Sequence, residues 1–134
     1  MLILTKKLWE TDHIIKIHCS DIWDNKDTYI LIECVLQELK SLLLEAKDTQ
    51  KPAILICDCN KGELPPLKNA LQFAKFMVGI REIILEGLNF TIVYAKSETH
   101  KMWVDRILSF YTPAKPVHIV NNKEDLKKLI KQAQ

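Results

Sequence analysis

Glycine and proline are scarce in this chain, at three and five of 134 residues, which leaves little room for long loops. Long apolar runs are absent too: no stretch approaches the roughly 20 residues a membrane span requires. The start, Met1-Leu2-Ile3-Leu4-Thr5-Lys6-Lys7, lacks the basic region, extended apolar run and small-residue cleavage site of a signal peptide. A cytoplasmic location is expected. Charge of one sign is not in excess, with 19 basic against 17 acidic residues and a net charge of +2. The basic cluster Lys123, Lys127, Lys128 and Lys131 reads as the solvated face of a terminal helix, so no nucleic-acid partner is expected. The four cysteines, Cys19, Cys34, Cys57 and Cys59, form no CxxC pair and read as buried reduced thiols.

Chemical signatures are equally sparse. Lys61-Gly62 lacks the preceding glycines of a phosphate-binding loop. Ser97 has no GxSxG context to make it an activated nucleophile. The histidines and cysteines His13, His18, Cys19, Cys57, Cys59 and His118 match no zinc spacing. No metal, no cofactor and no catalytic activity are expected.

What is present is a core-forming pattern, 48% hydrophobic and 27% charged. Residues 2–9 and the alternating His13–Cys19 segment predict two strands joined as an opening hairpin by a turn at Glu10–Asp12. A polar connector containing Trp23 follows. Asp27 or Thr28 then caps a helix to about Lys47, its inner face formed by Ile32, Val35, Leu36, Leu39, Leu42, Leu43 and Ala46. Ala53–Asp58 is the continuous apolar run of a strand buried on both faces. Pro66–Glu86 predicts a second helix, with Leu67, Ala70, Leu71, Ala74, Met77, Val78 and Leu85 apolar and Gly79 marking a kink or a close contact. Phe90–Ala95 is another buried strand. Ser97 caps a helix to about Phe110 with Met102, Trp103, Ile107 and Leu108 inward. Val117–Val120 is the last strand, and Asn121 or Asn122 caps a final helix carrying Leu126, Leu129 and Ile130.

The order β-β-α-β-α-β-α-β-α predicts one α/β domain spanning residues 1–134, built on a mixed, mostly parallel sheet of about five strands covered by helices. In order and length the chain resembles the STAS domains, which include the bacterial anti-sigma-factor antagonists. From Thr91 to Ile130 it also resembles CRAL-TRIO lipid-binding domains: a strand enters a helix with Trp103, Ile107 and Leu108, then come Thr112 and Lys115, a strand, and a helix bearing Leu126. The first resemblance implies a non-catalytic regulatory or protein-interaction domain, and the second a binder of a small apolar or lipid ligand. Phospho-switch STAS regulators carry a hydroxyl directly after the Asp that closes the central strand. Here Asp58 is followed by Cys59, Asn60 and Lys61, so that device is missing.

In open α/β sheets ligands bind beyond the carboxyl ends of the strands. That rule selects Asp58, Asn60, Lys61, Ser97 and His100, with His100 the candidate acid or base of a third, enzymatic reading. Trp9 and Trp23 lie off the helical faces and are candidate anchors for a protein partner. The first strand is an expected sheet edge, open to self-association.

Overall fold

A computed structural model describes residues 2–9, 12–19, 28–59 and 67–133, with backbone alone for 2–9, 12, 13, 18, 19, 28 and 31. Five strands, β1 (Leu2–Trp9), β2 (Asp12–Cys19), β3 (Ala53–Asp58), β4 (Leu88–Tyr94) and β5 (Val117–Val120), form one sheet in the order β1-β2-β3-β4-β5. The opening pair is antiparallel, with Trp9 opposite Asp12. The other four strands run parallel, and the two apolar central segments lie side by side with Ile56 opposite Ile92.

Every parallel step moves in the same direction across the sheet. Crossovers of one hand then deposit all connecting helices on one face. These are α1 (Thr28–Asp48), α2 (Leu67–Gly79), α3 (Arg81–Gly87) and α4 (Glu98–Leu108). Strand alternation supplies that face with Ile15, Ile17, Ala53, Leu55 and Cys57. The opposite face presents Ile14, Ile54, Ile56, Ile92 and Tyr94 to α5 (Lys123–Ala133), which covers them with Ile130, Leu126 and Leu129. A register slip between Ala53 and Ile54 leaves Asn89 as an extra, exposed residue of β4. Leu88 thereby shares a face with Thr91 and Val93.

The anticipated inner face of α1 is observed: Ile32, Leu36, Leu39, Leu43 and Ala46 are buried, each contributing to one core with α3. Burying a leucine of this kind stabilises by about 1.5–3 kcal/mol. The helix ends in a Schellman motif. Lys51 N–H donates to the Ala46 carbonyl and Gln50 N–H to that of Lys47, with Gln50 left-handed at φ 59°.

The single helix expected from Pro66 to Glu86 is instead two. Ile80, at φ −109° and ψ 25°, steps out of the helix and buries its side chain in the core. Gly79 weakens the helix at that point, and open space surrounds the position where its Cβ would stand, so it marks a bend and not a close contact. The inward faces of the two helices follow from the burial of their residues. Leu67, Leu71, Val78 and Leu85 are exposed, whereas Ala70, Ala74, Met77 and Ile84 are buried with Phe73 and Phe76 packed beside them. The close contact falls at Gly87: a Cβ there would collide with the Leu43 carbonyl, so only glycine lets α3 lie this near α1.

In α4 the Ser97 cap forms as anticipated, its hydroxyl accepting the His100 backbone N–H at 3.3 Å. Val104 and Ile107 face inward. Met102, expected inside, is 69% exposed, because the rotation that buries Val104 and Ile107 turns it to solvent. At the start of α5 Asn122 is the cap, accepting the Asp125 backbone N–H at 2.8 Å. Among the described residues no helix is long and apolar enough to cross a membrane.

Candidate functional site

Beneath α2 and α4 the sheet is not fully covered. Ile17, Leu55, Cys57, Thr91, Val93 and Val117 form the floor of a cavity. Val35 and Leu36 of α1, Ala70, Phe73 and Met77 of α2, and Trp103, Val104 and Ile107 of α4 form its walls, and Tyr111 to Lys115 closes one end. The lining sets the small Thr91, Val93 and Val117 of the strands beside the bulky Phe73 and Trp103 of the helices. The volume is about 160 Å³. An engineered apolar cavity of roughly 150 Å³ stays dry and takes up benzene, so this space is large enough for a one-ring molecule.

The lining is overwhelmingly apolar, and the polar Asn69, Thr91, Cys57 and Tyr111 within it are neutral. Asn69, in the first turn of α2, lines the cavity and is a polar residue buried as a whole. Cys57 and Cys59 alternate onto the cavity face, and neither is in a disulfide. Burial pushes the Cys57 thiol far above its ordinary range, with a smaller push from Cys59. Burial likewise raises the Tyr111 phenol, followed by the effect of Cys57. The cations of the lining, Arg81 and Lys115, are exposed and half-buried respectively.

The strand-end candidates Asp58, Ser97 and His100 are not among the residues that line this cavity. Asp58 ends β3 opposite Tyr94, and alternation turns it away from the face that carries Cys57 and Cys59. Ser97 is occupied as a helix cap. Both nitrogens of the His100 ring, the candidate acid or base, are buried without a hydrogen-bond partner among the described residues. The His100 ring therefore makes no hydrogen bond to Asp58 or Ser97; only the His100 backbone N–H reaches the Ser97 hydroxyl. Asn60, Lys61 and Trp23 lie outside the described residues. Trp9 closes β1 at the other edge of the sheet, beside the start of β2, and its side chain is likewise outside them. No group of three or more metal-ligating side chains occurs among the described residues. Cys34, expected as a buried thiol, is exposed on α1.

Topology explains why the strand-end rule points away from the cavity. The crevice that receives ligands opens where successive connections diverge to opposite faces of a sheet. Here β2 to β5 follow one another in order and the connecting helices share a face, so no such divergence exists. Sequence reasoning overlooked Asn69 and Tyr111. The available signal was Asn69 itself, a polar residue next to Ala70 on a stripe that is otherwise apolar.

No protein-family model matches the sequence, and no curated protein matches it. Among solved structures the chain is similar to an uncharacterised protein of the DUF3478 family with a SpoIIAA-like fold from Shewanella loihica PV-4. The two are 14% identical and superpose with a TM-score of 0.65 over 96% of this chain and 92% of the other. The fold is therefore SpoIIAA-like, that is, STAS-like, as the element order implied.

Proposed function

We propose that this STAS-like chain is a non-catalytic binding domain that holds a small apolar ligand between its sheet and helices α2 and α4. The cavity carries the reading: a regulator acting through its surface alone gains nothing from 160 Å³ left unfilled beneath two helices. A void costs packing energy in proportion to its size, on the order of 24 cal/mol per Å³, and a ligand that fills it recovers that loss. Exposed Met102 and Phe110 on and just beyond α4, with Val78 on α2, favour a second role in contacting a protein partner, which ligand occupancy would regulate.

Native mass spectrometry of freshly purified chain, followed by thermal unfolding with added ethylbenzene, tests the first reading. A bound small organic mass is expected, or else stabilisation by about 2.7 kcal/mol when ethylbenzene is a hundredfold above its Kd. Ala70→Phe fills the space from α2 and abolishes either response. A chain that carries no such mass and ignores ethylbenzene refutes the proposal.

A further inference from the structure

Resting on that ligand-binding reading, we infer that the ligand is a neutral molecule of about one ring, bearing a single hydrogen-bonding oxygen that meets the Asn69 amide. Three independent features converge on this class. The volume of about 160 Å³ matches a one-ring compound and is too small for a long acyl chain. Asn69 is buried and lines the cavity, and its amide offers two donors and an acceptor. A hydroxyl or carbonyl brought in by the ligand satisfies such a group, whereas a pure hydrocarbon leaves it unsatisfied.

The third feature is the placement of charge. The cationic groups of the lining, Arg81 and Lys115, sit where solvent reaches them. A carboxylate drawn inside would shed its water without gaining a buried cation. The burial that keeps the Cys57 thiol and the Tyr111 phenol in their neutral forms disfavours a carboxylate in the same interior.

Calorimetric titration of the intact chain at pH 7 with three molecules of nearly one shape tests this: 2-phenylethanol, phenylacetate and ethylbenzene. We expect 2-phenylethanol to bind at least tenfold more tightly than phenylacetate. Asn69→Leu should weaken 2-phenylethanol at least tenfold and leave ethylbenzene within twofold, which also reports that the variant is folded. The comparison of alcohol with carboxylate needs no variant at all. Phenylacetate binding as tightly as the alcohol overturns the inference in favour of an anionic ligand held by Arg81 or Lys115. Alcohol and hydrocarbon binding equally, with no response to Asn69→Leu, overturns the role of the amide. Failure of all three to bind sinks the underlying ligand-binding reading as well.

Discussion

One face of one sheet is covered in two different ways. Where α1 and α3 lie on it, Leu39, Leu43, Ala46 and Ala53 have no exposed surface, and Gly87 brings α3 onto the Leu43 carbonyl. Where α2 and α4 lie on it, a cavity remains above Thr91, Val93 and Val117. Both halves are apolar, so hydrophobicity does not distinguish them. Backbone approach does: Gly87 lets α3 settle onto α1, in keeping with interiors that pack like crystals and tolerate few voids.

Truncation should therefore cost more on the closed half. Leu43→Ala is expected to destabilise by about 3–5 kcal/mol, the upper part of the range for a leucine whose neighbours cannot collapse. Ile107→Ala, in the cavity wall, should cost about 2 kcal/mol, because that side chain already lacks neighbours on one side. Urea unfolding of both variants measures the pair, and equal losses would erase the distinction between the halves. Gly87→Ala adds a methyl where none fits and should cost about 1–3 kcal/mol.

Much of the fold is legible in the sequence because period and composition encode it directly. The continuous Ala53–Asp58 run announces a strand covered on both faces, and the three- and four-residue recurrence from Ile32 to Ala46 announces the face of α1. The bend at Ile80 is not legible in this way. The apolar pattern continues straight through Gly79, and only the core's demand for Ile80 decides which way the chain turns. The cavity is less legible still. A sequence records which side chains are apolar but not whether the shapes they present leave a gap. The strand-end candidates Asp58, Ser97 and His100 followed from a rule whose premise, divergence of successive connections, depends on a strand order that local pattern does not specify.

The open half also responds to pH. The Cys57 thiol is raised above its ordinary 9.0 in the folded chain. Below that pH both folded and unfolded states keep the proton and nothing changes. Above it the unfolded chain loses the proton while the folded chain holds it, so stability falls by up to about 1.4 kcal/mol per pH unit. Tyr111 adds to the loss once pH passes its ordinary 10.0. Urea midpoints from pH 8 to 10.5 should decline for the wild type and decline less for Cys57→Ala. An identical slope in the two would mean that the thiol is not held in an apolar wall.

The smallest expected effect isolates backbone from packing on the closed half. Gln50 ends α1 in the left-handed region, which costs a residue with a Cβ about 1–2 kcal/mol and glycine almost nothing. Glycine at this place also loosens the unfolded chain, offsetting roughly 0.4–1 kcal/mol of the gain. Gln50→Gly should thus raise stability by less than about 1 kcal/mol, read as a small upward shift in Tm. Because Gln50 is exposed and outside the cavity lining, the same variant should bind ethylbenzene as the wild type does. If binding moved with it, the two halves would be coupled through α1, whose Ile32, Val35 and Leu36 also line the cavity, and the closed half would be part of the binding machinery.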